Sequence, residues 1–421
     1  MSDATTQDAV TTAWRREAPQ IVAALTRMTR DLALAEDAAQ DALVAALEQW
    51  PSGGIPHNPA AWLMTTAKRR AVDAVRRAEA LRRKTAELSA REEETVPDLD
   101  GHVDHIADDV LRLMFLCCHP SLTPPSRAAL TLRMVGGLTT AEIARGFVVS
   151  ESTMGQRISR SKKSLVAAQA EFELPTGRDR TERLVDVMAV IYLIFNEGYS
   201  ATSGEDWSRP DLVAEGIRLA SMLADLAPDE PEVHGLRALL ELQGSRLAAR
   251  VDPTGEPVLM EDQDRQRWDQ LRIRRGLAAL SRAEQLGAQG RPIGSYCLQA
   301  AIAAQHARAR TSAATDWPRI AGLYDLLARA APGPVVEVNR AVAHGRAHGP
   351  KAGLEILDAL AADALGHSPL MASVRGDLLE RDGRHEAAAQ AFDEAAGRTR
   401  NAQERTLLRR RADFCWSARL R

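Results

Sequence analysis

The sequence contains few aromatic residues, few cysteines and no long hydrophobic run. Of its 421 residues 45% are hydrophobic, but only 4% are aromatic and only four are cysteine. A hydrophobic content dominated by alanine and leucine favours helices, and no segment alternates β-branched residues as a strand does. No apolar stretch could span a bilayer, and the N-terminus lacks the basic-then-apolar order of a signal peptide. We therefore expect an all-α, cytoplasmic protein without a membrane partner.

Motifs for catalysis and metal binding are also lacking. The sequence has no phosphate-binding glycine loop, no H-E-x-x-H pair and no nucleophile elbow. Cys117, Cys118 and His119 are consecutive, whereas metal-binding cysteines are separated by at least two residues. We expect no catalytic residue, metal or cofactor, and a buried helix at the two cysteines. An enzyme in the C-terminal half has no triad or metal cluster to support it.

Residues 138–165 have the pattern of a helix-turn-helix, the unit that places one helix in the DNA major groove. Thr139 and Glu142 make a T-x-x-E capping box that predicts a short helix, and Ser150 is a preferred N-cap for a second one. Four residues of the second helix share one packing face: Met154, Ile158, Ser161 and Leu165. The opposite face carries Thr153, Gln156, Arg160 and Lys163, with Arg157 at its edge. Amide and guanidinium groups read base edges and phosphates, so this face favours DNA binding over an ordinary solvated helical pair.

The formal net charge of −3 hides a strong segregation of charge along the chain. Residues 61–91 contain nine basic and three acidic residues, residues 92–109 contain eight acids and no Lys or Arg, and residues 139–165 return to +3. Basic segments attract phosphates, whereas an acidic segment repels them. The pattern predicts two DNA-facing modules joined by an acidic tether. Solvated helices around a solvated linker would explain the acidic run but not both basic blocks.

The first basic block lies on the third of three predicted helices. Residues 14–29 and 32–47 form two amphipathic helices, the second ending before Trp50, and residues 51–57 form a loop rich in Pro and Gly. Asn58 is a preferred N-cap for the third helix. The buried face expected for this helix comprises Leu63, Ala67, Ala71, Ala74 and Ala78.

Residues 180–421 have the pattern of stacked helical hairpins. Three pairs spaced by four positions recur along them: Ile320 with Tyr324, Ala352 with Ile356, and Ala388 with Phe392. Their offsets of 32 and 36 residues lie near the 34-residue period of tetratricopeptide repeats. An irregular helical array is the alternative. Residues 195–199 could be a ligand site or a helix-ending turn, and their Asn and Gly favour the turn.

Three motifs follow one another along residues 10–172. They are an acidic helix at residues 35–41, a basic helix that follows it, and the helix-turn-helix at residues 138–165. The basic helix carries Trp62-Leu63, Ala67-Lys68-Arg69, Val72-Asp73 and Arg76-Arg77. Together they resemble a bacterial sigma factor of the sigma-70 family, in the small extracytoplasmic-function (ECF) group. Residues 192–204, YLIFNEGYSATSG, are similar to a subgroup with a tetratricopeptide-like extension.

The resemblance implies an all-α fold with a defined order of parts. These are a region 2 helical bundle at residues 10–80, an acidic flexible linker at 81–108, a region 4 helix-turn-helix domain at 109–172 and a tetratricopeptide-like extension at 180–421. The sequence departs from the family at Arg160-Ser161-Lys162-Lys163, where an Arg-Ala-Arg run is common. The serine on the packing face slightly weakens the packing of that helix but leaves its basic end in place.

The resemblance also implies which residues bind each partner. The clamp helices of core RNA polymerase would contact Glu36, Asp37, Gln40 and Asp41. The −10 promoter element would contact Trp62, Arg69, Arg70, Asp73, Arg76 and Arg77, with an unstacked base near the loop at 51–57. The −35 element would contact Ser152, Thr153, Gln156, Arg157 and Arg160.

The function implied is promoter recognition and transcription initiation by a protein that is not itself an enzyme, with one copy bound per polymerase. The extension would regulate this activity by binding a protein or a ligand. One alternative is a helix-turn-helix regulator that acts without polymerase, usually as a dimer on paired half-sites. Another is a repeat scaffold with an N-terminal adaptor. Two different basic modules suit two different promoter elements better than paired half-sites.

Overall fold

The fold was analysed in a computed structural model, which describes residues 3–86, 106–199, 208–253, 256–361, 365–366, 368–399 and 401–418. The described residues form eighteen α-helices and no strand. The predicted all-α class is therefore confirmed. The chain divides into two compact units, Met1–Ile191 and Tyr192–Arg421. No helix among the described residues is long and apolar enough to cross a membrane.

Eight helices begin in the first unit. They are α1 (Asp3–Thr29), α2 (Leu32–Gly53), α3 (Pro59–Ala86), α4 (Ile106–Cys117), α5 (Pro124–Met134), α6 (Thr140–Gly146), α7 (Glu151–Ala167) and α8 (Gly177–Tyr199), whose last turns belong to the second unit. Helix α1 packs against α2, α3 and α4. Most of the predicted acidic linker, residues 87–105, lies outside the described residues.

Helix α2 is longer than the sequence predicted. Proline usually ends a helix, so the sequence predicted an end before Trp50, but the helix continues through Pro51 to Gly53. Gly54 terminates it, with a φ of 81° and an N–H that donates to the Trp50 carbonyl at 3.0 Å. A left-handed glycine is a common helix stop, and here it places Pro51 in the final turn.

Helix α3 begins where predicted but buries less of its length. The Asn58 side chain accepts a hydrogen bond from the Ala61 N–H at 3.1 Å, which confirms the N-cap. Leu63, Ala67 and Ala71 are fully buried as expected. Ala74 is only half-buried and Ala78 is exposed, so the predicted face was wrong there. Among residues 59–80 the last buried side chain is Ala71, because the helix continues beyond the core.

The helix-turn-helix matches its sequence prediction closely. Thr139 and Glu142 form both hydrogen bonds of the capping box at the start of α6. The Ser150 hydroxyl accepts from the Thr153 N–H at the start of α7. The buried residues of α7 are the four predicted: Met154, Ile158, Ser161 and Leu165. The Ser161 hydroxyl donates to the Arg157 carbonyl at 2.8 Å, which satisfies a polar group on the packing face.

Helix α8 contacts α4 and α5 through two arginine interactions. The Arg183 side chain donates to the Phe115 carbonyl at 2.6 Å, and Arg127 forms an ion pair with Asp186 at 2.9 Å. Cys117 and Cys118 at the end of α4 are fully buried, as the sequence predicted. Burial raises the pKa of the Cys118 thiol to about 12, although its hydrogen bond with Thr131 opposes the shift. Both thiols are therefore protonated and unreactive near neutral pH.

The second unit is built from helices packed on their neighbours in the chain. They are α9 (Pro210–Leu226), α10 (Pro231–Gly244), α11 (Gln270–Ala288), α12 (Ser295–Arg308), α13 (Trp317–Ala330), α14 (Pro334–His348), α15 (Pro350–Asp358), α16 (Leu370–Arg381), α17 (His385–Arg398) and α18 (Ala402–Ala418). Ala388 and Phe392 are fully buried, in agreement with their predicted packing role. The Phe392 ring lies against Gly376 of α16, where a Cβ atom would come within 2.6 Å of it.

The middle predicted pair is displaced by one residue. Ala352 and Ile356 are only half-buried, whereas Gly353 and Leu357 are buried. Gly353 lies so close to α14 that a Cβ atom would come within 2.5 Å of the Ala341 carbonyl oxygen. The small residue that allows two helices to approach is therefore Gly353, which sequence spacing alone could not distinguish from its alanine neighbour.

Residues 195–199 are helical, so the predicted turn was wrong. They form the last turns of α8. Gly198 is required there by packing, because a Cβ atom would lie 2.6 Å from the Val213 backbone nitrogen. Its carbonyl accepts a hydrogen bond from the Arg209 N–H at 2.6 Å. A glycine required for close packing of α8 and α9 and a glycine required for a turn have the same sequence signature, so the sequence alone does not distinguish them.

Candidate nucleic-acid interface

A surface groove of about 710 Å³ lies along α2 and α3. Four of the six residues predicted for the −10 element line it: Trp62, Arg69, Arg70 and Asp73. The loop before α3 contributes Pro56 and Asn58. The Trp62 ring is half-buried and packs edge-to-face on Trp50, with centroids 5.5 Å apart and an interplanar angle of 71°. A partly exposed aromatic ring beside the exposed guanidinium groups of Arg69 and Arg70 provides both a stacking surface and a positive field.

The other two residues predicted for this face, Arg76 and Arg77, lie farther along α3. Both are exposed. The Arg77 guanidinium donates to the Asp73 carbonyl at 3.2 Å, which directs its side chain back along the helix. The basic side chains therefore continue beyond the groove, in an arrangement that can follow a phosphate backbone.

The second candidate surface is the exposed face of α7. Ser152, Thr153, Gln156 and Arg160 are exposed, and Arg157 is half-buried. The capping Ser150 holds the first turn, where its hydroxyl lies 2.8 Å from the Thr153 hydroxyl.

Burial raises the pKa of Glu142 on the preceding helix, but hydrogen bonds from Thr139 and the charge of Arg15 outweigh burial and hold the pKa below its ordinary value. The capping carboxylate is thus ionised at neutral pH and fixes the start of α6.

The third candidate surface is the acidic side of α2. Asp37 and Asp41 are exposed and Gln40 is half-buried. Val44 continues the same face and is 51% exposed. Its helical spacing from Asp37 and Asp41 indicates in the sequence that Val44 shares their face. The prediction of this surface used only charged and polar residues and therefore did not include it.

Glu36 does not share that surface, because it is 6% exposed. One carboxylate oxygen accepts from Arg133 of α5 at 2.6 Å and the other accepts from Lys162 of α7 at 2.7 Å. Burial raises the pKa of Glu36, but the hydrogen bonds and charges of Lys162 and Arg133 outweigh burial and hold it below its ordinary value. Sequence patterns contain no signal for this contact, since its partners are 97 and 126 positions away.

An all-α chain that has a helix-turn-helix and, in addition, a groove lined by basic residues belongs to the class of DNA-binding transcription proteins. Residues 13–80 match sigma-70 region 2, and residues 112–165 match sigma-70 region 4. The ECF RNA polymerase sigma factor SigK of Mycobacterium sp. is 31% identical over 159 residues, which cover 36% of this chain and 78% of that protein. The chain therefore belongs to the ECF sigma factors of the sigma-70 family. Members of this family bind core RNA polymerase and direct promoter recognition.

The resemblance extends beyond the sigma regions. Residues 183–284 match a family of unknown function, DUF6596. An uncharacterized protein of Rhizobium meliloti is 45% identical over 403 residues, which cover 94% of this chain and 93% of that protein. SigK of Mycolicibacterium vanbaalenii is 32% identical over 152 residues, or 34% of this chain and 71% of that protein. No solved structure matches the chain.

Proposed function

We propose that the three surfaces divide the work of promoter recognition. The groove along α2 and α3 takes the −10 element, the exposed face of α7 takes the −35 element, and the acidic side of α2 docks on the polymerase clamp helices. The observation that carries the proposal is the convergence of Trp62, Arg69, Arg70 and Asp73 on a single groove. The proposed boundaries of region 2, the linker, region 4 and the extension are those predicted from the sequence.

At the −10 element the groove suits a single strand with one base turned out of the stack. Extruding a base costs a few kcal/mol, which stacking and hydrogen bonds in a pocket must offset. Trp62 provides a ring for stacking, and Asn58 and Asp73 provide polar groups beside it. Arg69, Arg70, Arg76 and Arg77 contact phosphates along the strand.

At the −35 element, α7 acts as the recognition helix. Gln156 and Arg160 are exposed on one face, and these side chains form bidentate hydrogen bonds with adenine and guanine respectively. Ser152 and Thr153 lie in the first turn, where hydroxyl and backbone N–H groups bind phosphate. Arg157, which is half-buried, contacts the backbone from the edge of the face.

At the polymerase, Asp37 and Asp41 present the charge that a basic partner selects, and Gln40 adds a hydrogen-bonding amide. Val44 adds an apolar contact on the same face. Glu36 joins this surface only after it leaves Arg133 and Lys162. One copy of the chain binds each polymerase and has no catalytic activity of its own.

Run-off transcription with purified core polymerase tests this assignment. The full chain should start transcripts at promoters that core enzyme alone ignores. Trp62→Ala should abolish those transcripts while the chain still co-elutes with the polymerase. Asp41→Arg should abolish co-elution, with Glu48→Arg as the control, because Glu48 is an exposed acid near the end of the same helix. A chain that bound promoter DNA but neither co-eluted nor started transcripts would be a regulator that acts without polymerase.

The helical extension regulates this activity through a protein or ligand bound to its repeats. Repeat arrays present an extended surface to partners, and the whole-length relative from Rhizobium meliloti retains the extension. Ending the chain after Ile191 tests this role, since the first compact unit stops there and keeps the part of α8 that contacts α4 and α5. Transcription that is unchanged by the truncation, from a chain whose thermal unfolding shows an intact first unit, would exclude a regulatory role.

A further inference from the structure

Arginine and aromatic side chains of the second unit gather at one place outside the three proposed surfaces. They come from α12, α13, α14 and the segment between α10 and α11. Ring contacts connect them, together with a hydrogen bond from Arg265 to the His306 carbonyl at 2.6 Å. We call this set the arginine cluster, and its members are Arg246, Arg265, Trp268, His306, Trp317 and Arg346. The cluster therefore combines three cations with two indole rings and one imidazole.

Two guanidinium groups of the cluster lie over a single indole ring. The Cζ atoms of Arg246 and Arg265 are 5.9 and 4.9 Å from the centroid of Trp268. Neither arginine pairs with a carboxylate among the described residues: Arg265 donates to neutral oxygens, and the acceptor of Arg246 is the Met260 sulfur, which is weak. Two cations held together without an acid repel each other, so the arrangement costs stability unless an anion is bound.

The charges of the cluster act on a buried histidine. His306 is 9% exposed, and its ring packs edge-to-face on Trp317 with centroids 5.3 Å apart. Burial and the charges of Arg246, Arg265 and Arg346 lower the pKa of this histidine to about 3. The imidazole is therefore neutral at neutral pH, where it adds a hydrogen-bonding group and no further charge.

Buried polar atoms without a hydrogen-bond partner concentrate in the cluster. Among the described residues twelve buried side-chain nitrogen or oxygen atoms have none, and four of the twelve belong to these six residues: Arg265 Nε, Trp268 Nε1, His306 Nδ1 and Arg346 Nε. Trp268 is 3% exposed, so more than nine-tenths of both it and His306 is buried. An indole or guanidinium N–H can only donate, so the group that suits these atoms is an acceptor.

We propose that the arginine cluster binds a small oxyanion, the phosphate or carboxylate group of a metabolite-sized molecule. Guanidinium groups donate paired N–H bonds to either group, and stacking on the Trp268 and Trp317 rings orients them. Glu261 cannot neutralise the site, because Arg346 and Arg381 already share it at 2.5 and 2.7 Å. Control of transcription by this anion rests on the proposed function of the extension, whereas binding itself does not.

Scanning calorimetry of the full chain with inorganic phosphate and with benzoate tests the site. At constant ionic strength, about 10 mM of an anion that binds should raise the unfolding temperature of the second unit by about 3 °C or more relative to chloride. A response to phosphate alone identifies a phosphorylated ligand, and a response to benzoate alone identifies a carboxylate. If neither anion exceeds chloride, the cluster is not an oxyanion site and the proposal is overturned.

Arg246→Met distinguishes a binding cation from a packing residue. Methionine has a similar length but removes one of two charges that repel each other, so the unfolding temperature without added anion should stay at or above the wild-type value. The response to the anion should disappear. Arg274→Met, which replaces an exposed arginine of α11, is the matched control and should keep the response. A fall in unfolding temperature without anion, or a response that persists in Arg246→Met, would contradict the proposal.

Run-off transcription with core polymerase and the full chain distinguishes failure of the site from failure of the proposed function. The anion that stabilises the second unit should change transcript yield at least threefold with the wild-type chain and not with Arg246→Met. Stabilisation without a change in transcript yield would remove the regulatory role and keep the site. Transcripts from a chain whose second unit no anion stabilises would remove the site and keep promoter recognition.

Discussion

The Lys162 ammonium group lies 2.7 Å from the Glu36 carboxylate, although the two residues are 126 positions apart. Arg133 approaches the other carboxylate oxygen at 2.6 Å, so a single acid pairs with two cations from region 4. A carboxylate buried in this way is stable only while its partners remain, and losing them leaves an uncompensated charge. The stability of the first unit therefore depends on the protonation state of Glu36.

Glu36→Gln should destabilise the first unit in a pH-dependent way. The pKa of Glu36 lies below its ordinary value of 4.5, so its ionised form stabilises the fold above that value, and the stabilisation is lost as the pH falls through the lowered pKa. We expect a loss of about 2 kcal/mol at pH 7 that shrinks as the pH falls below 4.5 and through the lowered pKa. Urea unfolding at a series of pH values measures it. Glu48→Gln, which neutralises an exposed acid on α2, should show no such trend.

Two tryptophans of region 2 provide a matched test of the hydrogen bond to Gly137. Trp14 and Trp50 are both buried, but only the Trp14 N–H has a partner among the described residues. Trp14→Phe should therefore cost about 1 kcal/mol more than Trp50→Phe, because it leaves the Gly137 carbonyl without its donor. Hydrogen exchange of α1 and α5 reports the difference. Equal protection in the two variants would mean that the interface does not depend on this bond.

Local features of the fold could be predicted from the sequence because neighbouring residues determine them. The Thr139 capping box, the Ser150 N-cap and the Asn58 N-cap all depend on groups within three positions. The packing face of α7 follows from helical periodicity. The groove that gathers Trp62 and Arg69 was predictable as a basic helix face, since the residues share one helix.

The errors arise where tertiary contact decided between two local possibilities. Pro51 remains inside α2 because Gly54, and not the proline, stops the helix. Gly198 allows two helices to pack closely, and Gly353, not Ala352, lies at a helix contact. Both positions are determined by close backbone contacts, which sequence spacing does not predict. The burial of Glu36 also could not be predicted from the sequence, because an acid on an exposed helix surface and an acid covered by region 4 have the same sequence pattern.

Neutralising one phosphate contact on α7 should change the salt dependence of DNA binding by a known amount. With holoenzyme on a duplex that carries the −35 element, Arg157→Ala should reduce the slope of log affinity against log salt by about one. Fluorescence anisotropy at several salt concentrations measures the slope. Arg319→Ala, which removes an exposed arginine from α13, should leave it unchanged. An unaltered slope in Arg157→Ala would remove that residue from the phosphate contact.

Two helical glycines of the second unit should respond to alanine in opposite directions. At Gly198 a Cβ atom would lie 2.6 Å from the Val213 nitrogen and 2.9 Å from the Arg209 oxygen, both backbone atoms that cannot move independently of α9. Gly198→Ala should therefore destabilise the unit by about 2 kcal/mol or more. At Gly322, an exposed position in α13, a Cβ atom would meet nothing within 4 Å, so alanine should stabilise by up to about 1 kcal/mol through helix propensity. Scanning calorimetry of the full chain should show the unfolding temperature of the second unit falling in the first variant and rising in the second. Tolerance of alanine at Gly198 would mean that α8 and α9 are farther apart than the fold places them.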